Sequence, residues 1–386
     1  MTLTHDTGRA APAAPAPTQQ TSGSPTAAGP ARARNQQTND YFDLAERVRA
    51  AGLMERGASS YIGRAVVLIS AFAGAGVLLA TVGQSWWQLA VAALFGVLFT
   101  QAAFVSHDAA HQQVFNHGRK NEWLARFSGN LVVGLSYGWW TRKHGKHHAN
   151  PNVIGKDGDI SAGTLVFVPE DAQERTGIAA WFARRQGWFF FPLLMFFGLA
   201  LHYNAAHTLF TAKKLKHRKT EAAFLIIRLI GFPALIIALL GPGLGIAFLA
   251  VQIAVFGLYM GSSFAPNHKG MPLLPKDSSV DFLQRQVMTS RNISGGRPMD
   301  WAMGGLNYQI EHHLFPRMAS PNLHKVRPLV IEFCAERGIP YTETGLLTSY
   351  GIIIRYLNRV GLGYSDPMDC PVTAQFRGRS SDSVLN

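Results

Sequence analysis

Two long uncharged apolar runs constrain the fold of this chain more than any other feature. Residues 65–82 and 86–105 contain no charged side chain, and only Gly83-Gln84-Ser85 separates them. A helix needs about 20 apolar residues to cross the ~30 Å hydrocarbon core of a bilayer. Because the bilayer offers the backbone no hydrogen-bonding partner, such runs form helices. The sequence therefore predicts a membrane-spanning helical hairpin.

A second hairpin is predicted further along the chain. Residues 222–240 and 244–260 are again apolar, and Gly241-Pro242-Gly243 separates them. Arg228 lies near the start of the first of these runs, where its long side chain can reach the membrane interface. We therefore predict an all-α, multi-pass integral membrane protein with four transmembrane helices in two hairpins.

The basic residues predict how the hairpins are oriented in the membrane. Both hairpin turns are short and uncharged, whereas the long connectors are basic. The basic residues of the connectors are Arg142, Lys143, Lys146, Lys213, Lys214, Lys216, Arg218 and Lys219. The positive-inside rule places these connectors in the cytoplasm. The formal net charge of +13 thus reflects topology, together with attraction to anionic lipid headgroups and to an acidic partner. No nucleic-acid recognition motif accompanies it, so no nucleic-acid partner is expected.

Composition divides the chain into three parts. Residues 1–36 are rich in Ala, Pro, Ser and Thr and predict a disordered tail without the apolar core of a signal peptide. Residues 37–350 are predicted as the membrane domain, with a helical cap on the cytoplasmic side, and residues 351–386 as a C-terminal segment with a flexible end. Within the domain, residues 40–54 predict an amphipathic helix on the membrane surface. Residues 188–201 form an apolar segment that is too short to span and is expected at the interface or buried against the bundle.

Three histidine motifs lie beside the predicted spans. They are H-D-A-A-H at 107–111, H-G-K-H-H at 144–148 and Q-I-E-H-H at 309–313. Residues three and four apart share one face of a helix, so each motif directs its polar rings or amide to one side. Neutral imidazole is the commonest protein ligand for redox-active transition metals. The candidate ligands in the motifs are His107, His111, His144, His147, His148, Gln309, His312 and His313.

His268 is a further candidate, although its Pro-Asn-His-Lys context also fits an ordinary turn. With it, the motifs supply enough nitrogen for two metal ions of four to five ligands each, whereas one zinc ion would take three or four. Gln309 can bind a metal through its amide oxygen or hydrogen-bond a metal-bound water. The remaining histidines have no partner at ligand spacing and are not predicted as ligands. They are His5, His117, His202, His207, His217 and His324.

Carboxylates near the motifs can hold the ligand rings in place. Asp108, Asp157, Asp159 and Glu311 are candidates to accept the second ring N–H of a histidine ligand, and the alternative is that they are solvated charges. A site of neutral imidazoles adds no negative charge. A bound iron ion therefore keeps a high effective charge and, with oxygen, becomes an oxidant able to attack an unactivated methylene.

Residues around the second motif suggest how a long substrate could bind. Four aromatic residues either line a narrow apolar tunnel that aims a long apolar substrate or form an aromatic belt at the membrane interface. They are Tyr137, Trp139, Trp140 and Trp188. Arg142 and Lys143 either hold phosphates of a ligand or a lipid headgroup, or serve topology alone.

The three motifs, with the third extended to G-L-N-Y-Q-I-E-H-H-L-F-P, resemble those of membrane-bound fatty acid desaturases over about residues 53–346. The Q-x-x-H-H form is similar to that of front-end desaturases and some bacterial acyl desaturases. The resemblance implies an all-α di-iron enzyme that uses O2 and two electrons to place a cis double bond in a long acyl chain carried on coenzyme A or a lipid. By motif position it implies that the motif histidines bind iron, with His268 standing where the family often has one more ligand. Residues 286–292 also resemble a segment that precedes the third motif in related bacterial enzymes.

Electrons are expected to come from another protein. The sequence contains neither the H-P-G-G motif of a fused haem domain nor a flavin-type glycine motif after a strand. Its two cysteines, Cys334 and Cys370, form no C-x-x-C and no iron–sulfur framework. A ferredoxin or rubredoxin-like acidic carrier with its reductase would suit the basic cytoplasmic face.

Other functions fit the sequence less well. A membrane hydroxylase acting on a lipid, alkane or carotenoid would share the metal site and differ in its product, and it remains the alternative. A membrane zinc protease would need H-E-x-x-H, and Asp108 stands where the glutamate is required. A metal or haem transporter would place its ligands at mid-membrane depth, whereas these motifs lie at the ends of the predicted spans.

Overall fold

The computed structural model describes the backbone of residues 30–363 and the side chains of residues 40–363. This part of the chain is helical almost throughout. Two short strands, β1 (Asn292–Ser294) and β2 (Glu343–Gly345), pair in parallel with Ile293 opposite Thr344. The predicted all-α class therefore agrees with the observed architecture.

The first helix, α1 (Pro30–Ala50), packs on protein instead of lying on the membrane surface as predicted. Its apolar side chains Leu44 and Val48 are completely buried against Val326 and Val330 of a later helix. The apolar stripe of α1 thus finds a protein surface to cover. The helix also begins within the predicted tail, and residues 1–29 lie outside the described residues.

The first hairpin consists of α2 (Ala58–Thr81) and α3 (Gln88–Ala110), close to the predicted runs. Gly83 has φ 67° and reverses the chain between them, a conformation that glycine adopts at little cost. The side chain of Gln88 donates to the carbonyl of Leu79 over 2.9 Å and ties the two helix ends together. Helix α3 is buried along most of its length, whereas α2 exposes its apolar side chains.

The second histidine motif follows a change in helix type. Helix α4 (Gly118–Arg126) continues into a π-helical segment (Phe127–Val133), and α5 (Tyr137–Ala149) begins after a short break. Gly134, at φ 93°, ends the π segment. The hydroxyl of Ser136 accepts from the backbone N–H of Trp139 over 3.1 Å and so caps α5. The break re-aims the chain, so that α5 carries its histidines towards the end of α3.

The apolar region after the second motif is longer than predicted. Two short helices, α6 (Pro169–Gln173) and α7 (Gly177–Ala183), lead to α8 (Gln186–Leu194) and α9 (Phe197–Thr211). Helices α8 and α9 are bent by 66° at their junction and together have the length and composition of a broken span or a re-entrant loop. The predicted apolar segment, residues 188–201, stops before the end of α9, because polar side chains in α9 interrupt the apolar run.

The long apolar region 218–268 contains α10 (Arg218–Ile226), a π-helical segment (Ile227–Gly231) and α11 (Phe232–His268). By length and composition, α2, α3 and this region could each cross a membrane, and the bent pair of α8 and α9 would add a fourth candidate among the described residues.

Helix α11 folds back on itself at the predicted turn. Gly241 has non-helical φ 73° and ψ 167°. A Cβ built on Gly245 would lie 3.0 Å from the Cα of Ile237, although residues eight apart in a straight helix are separated by about 12 Å. The side chain of Gln84 donates to the carbonyl of Leu239 over 2.8 Å. The turns of the two hairpins therefore lie side by side.

The remaining elements form the cap. They are α12 (Phe282–Met288), α13 (Gly296–Ala302), α14 (Gln309–Leu314), α15 (Ser320–Glu336) and α16 (Leu346–Gly361). Leu283 of α12, Leu314 of α14 and Phe333 of α15 share one buried core with α1. Helix α16 packs along α8 and crosses the predicted boundary at residue 351. Residues 364–386 lie outside the described residues.

Close packing of α9 against α11 depends on glycine. A Cβ built on Gly257 would lie 2.5 Å from the carbonyl oxygen of Leu194 and 2.6 Å from the backbone nitrogen of Gly198. We predict that Gly257→Val lowers the stability by about 1–3 kcal/mol, because the backbone has to move apart. Thermal unfolding in detergent measures this effect. Gly74→Val is the control, since a Cβ there meets no atom within 4 Å. Equal midpoints for the two variants would contradict the packing argument.

Candidate metal centre

Four helices deliver the candidate ligands to one place. His107 lies in the last turn of α3, and His111 is its C-terminal capping residue. Helix α5 carries His144, His147 and His148, α14 carries Gln309, His312 and His313, and His268 is the last residue of α11. All eight predicted histidines, including His268, meet between the membrane helices and the cap, at the end of the bundle opposite the two hairpin turns.

The histidines form two adjoining groups. In the first, the candidate nitrogen atoms of four rings lie within 4.8 Å of one another, and in the second those of three rings do. The first group is His107, His111, His144 and His312, and the second is His147, His268 and His313. His148 lies between the groups, with ring centroids 4.5 Å from His144 and 4.2 Å from His313.

Hydrogen bonds to Nδ1 of four rings, those of His107, His147, His268 and His313, fix their other nitrogen towards the interior. His147 Nδ1 donates to Asp157 over 2.9 Å, and His107 Nδ1 donates to Asp108 over 3.1 Å. Asp159 is 3.5 Å from the same nitrogen of His147. Two of the four carboxylates proposed as ring partners thus make that contact, and a third lies next to it. Glu311 instead accepts from the side chains of Asn292 and Tyr341 and touches no histidine through a hydrogen bond.

Two ring supports were missed by sequence reasoning. His313 Nδ1 donates to the amide oxygen of Gln286 over 2.8 Å, and His268 Nδ1 donates to the carbonyl of Thr289 over 3.0 Å. Gln286 also donates to the carbonyl of His148. Both supports lie in residues 286–292, whose motif-like character was visible but whose role depends on contacts distant in sequence. An amide and a backbone carbonyl carry no charge signal that could have identified them.

Several ring nitrogens turn their lone pairs towards one another. The Nε2 atoms of His147 and His268 are 3.3 Å apart, and both rings use Nδ1 as the donor elsewhere. Neither Nε2 then carries a proton, so this approach is not a hydrogen bond. The Nε2 atoms of His107, His312 and His313 are buried and have no partner within the described residues. Burying unpaired acceptors costs stability unless a cation satisfies them, so the residues fit bound transition-metal ions.

Gln309 contributes to the second group through its amide nitrogen. Its Nε2 donates to His268 Nε2 over 2.9 Å, while its Oε1 accepts from Asn267 over 2.9 Å. Of the two predicted roles, this orientation favours hydrogen-bond donation towards the metal position. Ligation through the oxygen would require the amide to turn and lose its bond from Asn267.

The electrostatics of the site keep the rings neutral. Burial, followed by the proximity of neighbouring histidines, lowers the pKa of each of five rings well below its usual value. These are His111, His144, His148, His312 and His313. Burial acts to raise the pKa of Asp157, but the hydrogen bonds from His147 and the backbone of Asn152, together with the electrostatic effects of His147 and Lys269, outweigh it and hold that pKa below its usual value. A charged carboxylate behind neutral imidazoles is the arrangement a metal ligand requires.

An elongated cavity of about 290 Å³ borders the histidines. Apolar side chains line most of it, and it reaches His144, His147 and His268. Its apolar lining includes Trp139, Trp140, Phe167, Leu194, Phe197, Leu201, Met260 and Phe264. Of the predicted wall residues, Trp188 is 68% exposed and lies outside the lining. Tyr137 also lies outside it and packs on the guanidinium of Arg126.

Two lysines give this cavity a polar region. Lys143 pairs with Asp159, and Lys269 donates to the carbonyl of Asp159 over 2.6 Å and lies 4.0 Å from the ring centre of Phe167. Burial lowers the pKa of both Lys143 and Lys269 to about 8, so both are mostly charged at neutral pH. Arg142, predicted to join Lys143, instead donates to the carbonyl of Lys214.

The other described histidines lie outside the two groups. His202 bonds the carbonyl of Val133, His207 contacts Thr211 in its own helix, and His217 packs near Trp123. His117 and His324 also lie outside the two groups, and His5 lies outside the described residues. The candidate centre therefore contains the predicted ligands without additional histidines from the described chain.

These observations define a class of protein: a multi-helix protein with a polyhistidine centre next to an apolar cavity. The chain belongs to the fatty acid desaturase family, whose sequence profile matches residues 84–345. An acyl-lipid (9-3)-desaturase of Physcomitrium patens is 32% identical over 282 residues, covering 70% of this chain and 53% of the moss protein. A Delta(5) fatty acid desaturase of Caenorhabditis elegans is 31% identical over 344 residues, covering 85% of this chain and 75% of the worm protein.

An acyl-lipid (9-3)-desaturase of Borago officinalis is 28% identical over 286 residues, covering 71% of this chain and 64% of the plant protein. The chain thus spans between about half and two thirds of the length of the two acyl-lipid desaturases. The match in all three cases supports the family, and the desaturase activities belong to those proteins.

Asp157 offers a direct test of ring support. We predict that Asp157→Asn weakens metal retention about 10–100-fold, because the ring of His147 loses its anionic acceptor. Metal content measured by plasma mass spectrometry during competition with a chelator reports this change. Asp277→Asn, at an exposed position, is the matched control. Equal retention in both variants would show that Asp157 does not support a ligand.

The metal-free protein should lose stability as pH falls. Folded rings with lowered pKa stay neutral, while unfolded histidines take up protons below about pH 6.5. Each such ring then favours unfolding by up to about 1.4 kcal/mol per pH unit, until the pH reaches its folded pKa. Chelator-treated protein should therefore show a lower thermal midpoint at pH 5.5 than at pH 7.5.

His148→Gln should reduce the change of the thermal midpoint with pH, because one titrating ring is removed. A midpoint that does not change between these pH values, or a slope unchanged in His148→Gln, would contradict the assignment of the rings as buried and neutral.

Proposed function

We propose that this chain is a membrane desaturase that inserts a cis double bond into a long acyl chain. The observation that carries the proposal is the meeting of two groups of closely spaced, buried imidazole nitrogens beside an apolar cavity. The family membership and the desaturase names of the relatives support the same reaction. These relatives do not favour the alternative of a hydroxylase.

The histidines would hold two iron ions. The first group, His107, His111, His144 and His312, would hold one ion, and the second group, with His147, His268 and His313, would hold the other. His148 is close enough to both groups to serve either, and Gln309 would hydrogen-bond from the edge of the second. Bound iron would supply the O2-dependent oxidation of an aliphatic C–H bond, which protein side chains cannot perform.

The chemistry removes two hydrogen atoms from neighbouring methylenes. Together with two electrons from a carrier and two protons from solvent, these hydrogens reduce O2 to two molecules of water. The protein's contribution is to place one pair of methylenes against the histidines and to keep water away from them. The narrow wall of Trp139, Trp140 and Phe264 next to His144 supports this positioning.

The polar region of the cavity would hold the head of the substrate. Lys143 and Lys269 present ammonium groups to a cavity that is otherwise largely apolar. Such groups bind a carbonyl or phosphate oxygen, as found in acyl-CoA and in acyl lipids. An acyl chain would then extend from the lysines along Leu194, Phe197 and Leu201.

In the membrane, the two hairpins would make four crossings. Support comes from the adjacent turns joined by Gln84 and from the location of the histidines at the other end of α3 and α11. The basic connectors would place that end, and the active centre, in the cytoplasm. A basic cytoplasmic face would receive an acidic external electron donor, such as a ferredoxin with its reductase.

Expression in a bacterial host tests the proposal. Fatty acids from the cells, derivatised and analysed by mass spectrometry, should contain a new double bond whose position the fragments report. His147→Ala and His313→Ala should abolish the product, because each removes a ligand from the second group. His207→Ala, at an exposed position, should retain it.

All variants should reach the membrane at similar levels. A hydroxylated product would replace desaturation by the alternative reaction. Undiminished product from both ligand variants would exclude the proposed centre.

A further inference from the structure

A second cavity, separate from the one beside the histidines, lies where α2 and α3 meet the cap. Its volume is about 410 Å³, and no residue lines both cavities. We name it the α2 cavity. It is bounded by α2 from Ser60 to Ala71, by α3 from Val97 to Gln101 and by the cap at Trp301, Gly304 and Ser320. The proposed reaction does not use it.

The lining of the α2 cavity changes character along its length. Its membrane end is apolar, formed by Val67, Leu68, Ala71, Val97 and Leu98. Its cap end is polar and contains Arg64, Gln101, Arg297, Asp300, Tyr308 and His324. A ligand that fills both ends has an apolar chain and a polar head.

The cavity is continuous with the outer surface of α2. Val67 lines the cavity and is 62% exposed, and its neighbours Val66 and Ile69 are 58% and 68% exposed. An apolar helix face of this kind, on a segment long enough to span a membrane, contacts lipid. Membrane lipid therefore reaches the cavity without crossing water.

The charges at the polar end favour an anion. No carboxylate lies within ion-pair distance of Arg297 among residues 40–363. Arg64 lies 3.6 Å from Asp108 and 3.4 Å from the amide oxygen of Gln101, which leaves part of its guanidinium free. The acid of this end, Asp300, accepts from Asn307 over 2.8 Å. Both nearby carboxylates, Asp108 and Asp300, already accept hydrogen bonds from other side chains, whereas Arg297 has no ion-pair partner in this part of the structure, so its guanidinium suits a phosphate group.

We propose that the α2 cavity binds an anionic phospholipid. The phosphate lies between Arg64 and Arg297, and one acyl chain lies along Val67, Leu68 and Val97.

The site also contacts a residue that supports the candidate metal centre. The Asp108 oxygen that faces Arg64 also accepts from Ser320 over 2.6 Å, and its other oxygen holds His107. A lipid phosphate on Arg64 would thus be two contacts away from a candidate metal ligand.

Native mass spectrometry of the purified full chain tests the site. The protein in detergent is titrated with phosphatidylglycerol or with phosphatidylcholine of the same acyl chains, and the retained lipid is counted. The unaltered protein should retain one phosphatidylglycerol in preference to phosphatidylcholine. Equal retention of both lipids, or retention of neither, would overturn the proposal.

A steric variant asks whether the lipid occupies this cavity. Gly63 lines the α2 cavity, and a Cβ built there meets no atom within 4 Å. Gly63→Leu should therefore fill the cavity without a clash, and leucine favours the helix. Retention of phosphatidylglycerol should be lost. Gly76→Leu is the control, because it also meets no atom and lies on α2 outside the lining. Unchanged retention in Gly63→Leu would place the lipid elsewhere and overturn the proposal.

A charge variant asks whether the phosphate is recognised. Arg297→Gln should weaken phosphatidylglycerol binding roughly tenfold or more, because a charge-assisted hydrogen bond is lost. It should leave phosphatidylcholine binding unchanged. Lys276→Gln removes the same charge from an exposed position and should have no effect. An equal effect of both variants would mean that net charge alone attracts the lipid, against the proposal.

Fluorescence provides an independent readout. Trp301 lines the α2 cavity. Because the chain has eight tryptophans, the fluorescence of Trp301 is obtained as the difference between the emission of the unaltered protein and that of Trp301→Phe. Phosphatidylglycerol brominated near the headgroup end of its chains should quench that difference signal, and the quenching should be absent in Gly63→Leu. Quenching that persists in Gly63→Leu would contradict occupation of the cavity.

Discussion

The candidate centre depends on the hydrogen bonds that hold Nδ1 of four of its histidines, His107, His147, His268 and His313, and thereby turn their other nitrogen inward. Asp157, Asp108, Gln286 and the carbonyl of Thr289 each accept from an Nδ1 atom. Bare Nε2 lone pairs then face each other inside a buried space, which is unfavourable without a cation. The protein tolerates this arrangement because the acceptors belong to well-packed segments. The packing that folds the cap consequently also orients the histidines for metal binding.

The membrane helices serve this arrangement by fixing where each motif begins. Helix α3 is the central element, and it passes close to α11 at Gly96, where a Cβ would lie 2.8 Å from the carbonyl of Gln252. Small residues let membrane helices approach closely, since lipid gives little hydrophobic drive for them to associate. The ends of α3 and α11 are thereby held at a set separation. His107 and His268 can therefore belong to neighbouring groups, although they lie at the ends of two different helices.

Much of this organisation could be predicted from the sequence, and the exceptions have physical reasons. The spans and motifs follow from local patterns. The length of an apolar run predicts a span, and the spacing in H-x-x-H-H predicts that the three rings share one face of a helix. The structure places His268 beside His147 and His313, and its role as a ligand stays a prediction. Gln286 could not be assigned from the sequence, because its function arises only when α12 packs beside α14. Similarly, α1 has the amphipathic pattern of a surface helix, and only the tertiary structure decides that protein, not lipid, covers Leu44 and Val48.

The order of the ligands along the chain has a consequence for biosynthesis. The first histidines, at the end of α3, leave the ribosome long before α14 does, yet both groups need a residue from α14. During translation the early imidazoles therefore remain in an unfinished site, and a nascent chain cannot retain two ions at their final positions. Metal delivery to the candidate centre would therefore follow completion of the polypeptide, which would make metal binding a late event in the maturation of this protein.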